Sequence, residues 1–528
     1  MERKKLEVWL PLLFSLTMAL GIWLGYRLRD AMPGGGHTRA GSGSVLREVM
    51  ELIRNRYVDS VEPEVLSEEA IGSMLDMLDP HSSFIPAREL AAVNEDLAGA
   101  FEGIGIEFNI FDDTVHVITV FPGGPSEKAG LQPGDHFLQV GDSLVAGRGI
   151  DGDGIRSLLR GPSSSQVSVT LLRAQQRISA NITRGEIPLH SLDASYLLDD
   201  STGYIRINKF SETTYEEFME ALETLQKKGM RQLVLDLRDN GGGILEEAVE
   251  MADEFLPGDR RIVYTEGLHV PKREYTCRRN GLFEKGRLLL LMDEGSASAS
   301  EVLAGALQDW DRGTILGRRS FGKGLVQEQY PLSDGSALRL TVARYYTPLG
   351  RSIQKSYQAG KDAYRHEVMD RYEDAADSLP VPADTTGQQV FVTAGGKRVF
   401  GGGGISPDVQ LPIDRSLSDS LLARLVQRGT LSRFAYRYQT THRASLSRYA
   451  DPAAFYVSFQ VDASVWDAFR NFARKDSIEI NSLSAAGEAQ LSRLLKAHIA
   501  RQLWRTQGWF EVMNKEDPYI LKARELLR

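Results

Sequence analysis

Between residues 186 and 355 the chain alternates strand-like and helix-like stretches, and this alternation limits the fold more than any other feature. "TGYIRINKF" reads as a strand, and "YEEFMEALETLQKKG" reads as an amphipathic helix that stops at Gly229. "RQLVLDLRDNGGG" is then a buried strand running into a glycine loop, followed by the helix "ILEEAVEMADEFL". The unit returns once more as the strand "GRLLLLMDEG", the small-residue loop "SASAS" and the helix "EVLAGALQDW". Strands alternating with helices imply an α/β layer structure whose strand-end loops are available for chemistry.

At 528 residues there is room for roughly three domains of about 100–200 residues. The net charge of −9 argues against a general nucleic-acid binder, because neutralising phosphates takes clustered Lys and Arg. A lone cysteine, Cys277, excludes an intrachain disulfide. At the N-terminus "MERKK" precedes 19 uncharged residues, Val8 to Tyr26, close to the roughly 20 that a helix needs to cross a bilayer. No clear small-residue cleavage site follows. The expectation over 1–30 is a cytoplasmic end and an uncleaved, single-pass transmembrane helix. The cell membrane is then a partner and the body lies outside the cytoplasm, in the periplasm. A cleaved signal is the alternative, and it exports the body equally.

Residues 31–44 are rich in Gly and Ser and read as a flexible linker. Residues 45–97 read as helices, interrupted by "LDPHSSFI", where His81 has no second His or Cys nearby and suits a cap or turn. Residues 356–397 look loop-rich. Residues 413–528 form a mostly helical extension whose apolar positions suit a core or a partner contact. That leaves a homo-oligomer, or an activator or adaptor protein, open as a partner.

From 98 to 176 the texture is short strands punctuated by glycine, with "GIGIEF", "TVHVITV" and "PSEKAGLQPGDHFLQVGD" in succession. This segment resembles a PDZ domain. Gly103, Ile104, Gly105 and Ile106 stand where that family places its carboxylate-binding loop. Glycines there let successive N–H groups turn toward one anion, and an exposed strand edge then pairs with an extended peptide. A small β-barrel with plain glycine turns is the bland alternative.

"EGSASASE" (294–301) crowds a helix N-terminus with hydroxyls, and Ser298-x-x-Glu301 fits a capping box. Capping alone would account for a lone S-x-x-E. Yet a serine at a helix start is also placed for acyl chemistry, because nearby N–H groups favour a developing oxyanion. Such a serine needs a base. Of nine histidines only His190 and His269 fall inside the 186–355 unit, neither in a polar or glycine-rich loop. Lysine is the other option when desolvation leaves its amine neutral. Lys323 in "GRRSFGKG" sits between two glycines and beside Phe321 and Leu325. The same stretch nearly spells a phosphate loop, but Gly324 replaces the Mg²⁺-binding hydroxyl and "LVQEQYPL" follows as a strand, not a helix. "DNGGGI" (239–244) offers backbone N–H groups to an oxyanion, or is a plain tight turn. Asp236 and Arg238 read as structural, an ion pair at that loop.

In order along the chain, "LDPHSSF", the PDZ-like segment, "LVLDLRDNGGG", "GSASASE", "GRRSFGKGLVQ" and "GGGGISPD" resemble the carboxyl-terminal processing peptidases, or tail-specific proteases, over about residues 45–412. The resemblance implies a multidomain α+β chain. It has an N-terminal transmembrane helix, a helical segment, a PDZ β-barrel-like domain, an α/β (crotonase/ClpP-like) protease core over 186–412 and a mostly helical tail. It further implies a serine endopeptidase acting on protein C-termini, with Ser298 as nucleophile, Lys323 as general base and Gln327 orienting the lysine. The oxyanion hole would use the amide of Ala299 and that of Gly241 or Gly242. No metal, nucleotide or other cofactor is implied. Fully extended, residues 323 and 327 would stand roughly 13 Å apart, so their contact requires a turn near the flanking glycines. A non-catalytic PDZ adaptor on a protease-like scaffold is the competing reading, disfavoured by the presence of all three of Ser298, Lys323 and Gln327.

Overall fold

The structure is a computed structural model that describes residues 15, 17–23, 42–374, 389–413, 420–480 and 483–528. It divides into two units, Met1–Met77 and Leu78–Arg528. The first unit holds the helices Ser42–Arg56 and Pro63–Asp76. The transmembrane helix of the expected architecture is not supported. Most of Val8–Tyr26 lies outside the described residues; those described there, 15 and 17–23, are helical. Among the described residues no helix is long and apolar enough to cross a membrane. Of the expected linker, residues 31–41 also lie outside the described residues.

The second unit is organised around a six-stranded sheet in the order Leu192–Leu197, Thr202–Ile207, Gln232–Asp236, Arg287–Met292, Thr314–Gly317, Val409–Gln410. Only its first pair is antiparallel; the other four pairs are parallel. Leu233, Leu235, Leu288 and Leu290 alternate along two of these strands and pack toward the helices Thr214–Lys227, Leu245–Asp253 and Ala299–Asp309. Val234, Leu289 and Leu291 point to the opposite face, which the C-terminal helix Pro518–Leu527 covers with Tyr519, Ile520, Ala523 and Leu527. Burial on both faces explains why these strands read as unbroken apolar runs.

Because Gln232–Asp236, Arg287–Met292 and Thr314–Gly317 run parallel, their C-terminal ends share one edge of the sheet. The loops that follow, "LRDNGGGI", "DEGSAS" and "RRSFGKG", are therefore neighbours although they span almost ninety positions of sequence. Beyond Gly324 the chain enters a second, antiparallel sheet whose spine is Ala337–Tyr346, paired with Leu325–Pro331, Arg261–Glu266 and Ser83–Ile85. That last pairing brings "LDPHSSF" to the lysine loop.

Residues 106–183 form a separate six-stranded antiparallel sheet with the helices Pro125–Lys128 and Gly152–Leu159, around Phe137, Val115 and Leu171. Ala100–Gly103 pairs with Gly185–Pro188 and brings the entry and exit of this module together. Among the described residues of 356–397 there is a helix, Lys361–Asp374, inside what reads as loop. Its charges are spread around the helix, so there is no apolar stripe for periodicity to detect. The described residues of 420–513 are mostly helical and enclose a core of their own.

Candidate active site

Three serines crowd the start of Ala299–Asp309, and the structure separates their roles. Ser296 donates its hydroxyl to Leu237 O at 2.8 Å and Ser300 donates to Asn240 O at 3.0 Å. Both are fully buried and fasten the serine loop to the glycine loop beside it. Ser298, between them, is only half-buried and lines an open cavity of about 800 Å³. It is the N-cap residue at φ 54° and ψ −114°, a left-handed conformation that a serine adopts only when its surroundings impose it. Glu301 contributes by accepting the Ser298 N–H at 2.9 Å.

Among the described residues, neither Ala299 N–H, at the first helical position, nor Gly241 N–H makes a hydrogen bond. Gly242 N–H, by contrast, donates to Asn240 Oδ1 at 2.9 Å. Of the two glycine amides expected at an oxyanion hole, that of Gly241 is therefore the open one. Gly242 supplies close approach instead. A Cβ on it would lie 2.7 Å from Ser298 Cβ and 2.8 Å from Ala299 N, and its φ is +93°. Gly242→Ala is thus expected to displace the Ser298 loop and lower kcat by about 100-fold or more, the scale of a lost oxyanion donor. Steady-state kinetics of the folded variant checks this.

Lys323 lines the same cavity. Its Nζ donates to Gln327 Oε1 at 2.9 Å, and no hydrogen bond joins it to Ser298. Burial pushes the Lys323 amine below its ordinary range, and the Arg339 charge adds to this, against Glu301 and Asp79. Lys323 reaches Gln327 across a register shift in Leu325–Pro331 between Val326 and Gln327, and Gly322, just before the lysine, stands at φ +92°. Gly322 is also pressed against the "GGGG" loop, where an added Cβ would come within 3.1 Å of Gly404 N. Gln327 Nε2 donates to His81 O at 2.6 Å, which leaves Oε1 facing the lysine. Strand Leu325–Pro331 follows the lysine, as the argument against a phosphate loop expects.

His81 thus enters the site through its carbonyl, while its Nε2 lies 2.7 Å from Tyr364 Oη. Burial lowers the imidazole to about 4, with the charge of Lys323 adding to it. Asp79 fixes the turn by accepting from His81 N, Ser82 N and Ser82 Oγ. Under the glycine loop, Asp236 is fully buried and meets Arg238 at 2.6 Å, Arg206 at 3.1 Å and Tyr204 Oη at 2.7 Å. Burial favours its neutral form, but the two guanidinium groups outweigh this and hold its carboxyl well below the usual range.

Sequence reasoning left out three contributors: His81 through its carbonyl, Asn240, and Tyr345, whose hydroxyl lies against backbone carbonyls of the site. For His81 and Asn240 the signal was present in the motifs "LDPHSSF" and "DNGGG". For Tyr345 only the strand pairing reveals it. Gly103, Ile104, Gly105 and Ile106 line a different cavity, of about 240 Å³, between strand Ile106–Phe111 and helix Gly152–Leu159.

Peptidase family S41 matches residues 201–361, a PDZ domain matches 116–173, and a family of unknown function matches 421–505. The carboxy-terminal-processing protease of Bartonella bacilliformis is 34% identical over 314 residues, which cover 58% of this chain and 71% of that protein. The chain belongs to the carboxy-terminal processing proteases. A relative in Bacillus subtilis, carboxy-terminal processing protease CtpB, is 36% identical over 317 residues, 59% of this chain and 65% of that one. The chain thus spans about two thirds of the length of these relatives. Among solved structures, the photosystem II D1 C-terminal processing protease is 29% identical, with a TM-score of 0.36, covering 73% of this chain and 92% of that one. A processing protease of this family is a serine-type enzyme.

Proposed function

We propose that this chain is a serine endopeptidase that cleaves protein substrates at or near their C-terminal tails with Ser298 as nucleophile and Lys323 as general base. One observation carries the reading. A half-buried serine in a strained helix-start conformation and a desolvated lysine held by Gln327 line one cavity. Neutral Nζ donates one N–H to Gln327 Oε1, which turns its lone pair away from Gln327 and leaves it to accept the Ser298 proton. Ser298 Oγ then attacks the peptide carbonyl, and the oxyanion meets the amides of Ala299 and Gly241. Lys323 delivers the proton to the leaving amine. Water repeats the sequence on the acyl-enzyme and regenerates Ser298.

The PDZ domain, with Gly103–Ile106 at its groove, would hold the substrate's terminal carboxylate. Incubating the full chain with a protein that ends in an apolar, unstructured tail tests the reading. Wild type is expected to trim the tail, and Ser298→Ala and Lys323→Ala to leave it intact over the same time. Trimming by either variant would refute the assignment. Tail binding without trimming by wild type would favour the adaptor reading.

A further inference from the structure

Two buried side chains, Glu301 and Tyr345, hold the backbone of both Ser298 and Lys323. Glu301 has no exposed surface. Its Oε2 accepts the N–H of Ser298 and the N–H of Lys323, each at 2.9 Å. Its Oε1 accepts the N–H of Gly322 at 2.8 Å and the hydroxyl of Ser320 at 2.5 Å. From the other side, Tyr345, 2% exposed, sets its hydroxyl 3.1 Å from Ser298 O and also against Lys323 O. One phenolic proton serves these two carbonyls in turn. The N–H and C=O of Ser298 and Lys323 thus converge on a single carboxylate and a single phenol.

We propose that Glu301 and Tyr345 are paired positioning residues that set the separation between the start of helix Ala299–Asp309 and the lysine loop. This rests on the Ser298 and Lys323 reading above. Helix capping accounts for only one of the four donors to Glu301; the other three come from residues 320–323, a separate loop. Four donors on two oxygens suit a carboxylate, since a glutamine in either orientation would turn its NH₂ toward at least one backbone N–H. Burial pushes the Glu301 carboxyl above its ordinary range, and the four donors oppose this. Lys323 is faced by Glu301, Arg339, Asp79 and His81, and the Glu301 charge favours the protonated amine. A carboxylate here works against a neutral base, so what it contributes is placement.

The test uses Glu301→Gln and Tyr345→Phe in the full chain. It follows kcat, KM and the pH–rate profile on the tailed substrate, labelling of Ser298 by a small fluorophosphonate, and thermal unfolding. Misplacement on the ångström scale predicts a fall in kcat of about 100-fold for Glu301→Gln and about 10-fold for Tyr345→Phe, with KM within about threefold. Labelling should slow in parallel. The acidic limb of Glu301→Gln should move to lower pH, because the charge that favours protonated Lys323 is gone, while that of Tyr345→Phe stays in place. The double variant should lose less than the product of the two single losses. A folded Glu301→Gln or Tyr345→Phe that keeps wild-type kcat and labelling rate would overturn the proposal. If Glu301→Gln does not fold, Tyr345→Phe decides alone, since it deletes one oxygen and keeps the ring. Wild type that is never labelled at Ser298 would remove the nucleophile reading and this proposal with it.

Discussion

Lys323→Arg is expected to lower kcat/KM by about four orders of magnitude or more, the scale seen when a nucleophile's base is removed. Arginine is of similar length and keeps the charge, but it does not become neutral below about pH 12. It therefore has no lone pair with which to accept the Ser298 proton. With Lys323 as the proposed base, the active form is the neutral amine, so the rate is expected to rise as pH rises through the pKa of Lys323. Burial and Arg339 lower that pKa from its ordinary value, which brings the rise below the pH at which a solvated lysine would place it. Comparing kcat/KM against pH for the two proteins checks both statements. Lys323→Arg should stay flat and near background at every pH, and a variant retaining more than about 1% of wild-type rate would be incompatible with a lysine base.

Deleting Pro518–Arg528 is expected to unfold the protease core, although none of these residues lines the catalytic cavity. Tyr519, Ile520 and Leu527 are buried against the sheet face that carries Val234, Leu289 and Leu291. At about 1.5–3 kcal/mol for each large apolar side chain, their loss alone removes roughly 5–9 kcal/mol. Whole domains are stable by only about 5–15 kcal/mol. The deletion also uncovers Tyr204, Val234, Leu289, Leu291 and Leu316, and it takes Tyr519 from Arg318. Leu527 O no longer receives Arg287 Nη1, which it accepts at 2.7 Å. The truncated chain should be recovered insoluble, or soluble without a cooperative thermal transition. As a graded control, Ile520→Ala should cost about 2–4 kcal/mol and lower the melting temperature while leaving kcat near wild type. A truncated chain that melts and cleaves like wild type would show the helix to be dispensable.

The same two regions show what could be read in advance. "SASASE" and "FGKG" were legible because chemistry restricts them to a few residue types: hydroxyls at a helix start, and a lysine between glycines. The apolar strands before them were legible because burial on both faces leaves no polar position. Tyr345 carries no such mark. It is an aromatic residue in a strand of alternating texture, and its hydroxyl reaches Ser298 O only because Ala337–Tyr346 folds back on Leu325–Pro331. His81 was read as a turn residue, and it is one. Its backbone carbonyl, which no residue type encodes, is what meets Gln327. The N-terminal helix shows the opposite case, where an uncharged run of suitable length suggested a membrane span that no described helix supports.

By itself the sequence determined the family, the alternation of strands and helices, and the candidates for acid–base and nucleophilic chemistry. These are local properties, set by side-chain polarity, backbone freedom and periodicity within about a dozen residues. Only the tertiary structure decided which backbone amides stay open and which of three serines faces the cavity. It also showed that Glu301 spans two loops and that the C-terminal helix closes the protease sheet. Each of these depends on which strands lie side by side. Hydrogen bonds act over about 3 Å, so partners far apart in sequence meet only after burial of the strands has fixed their order.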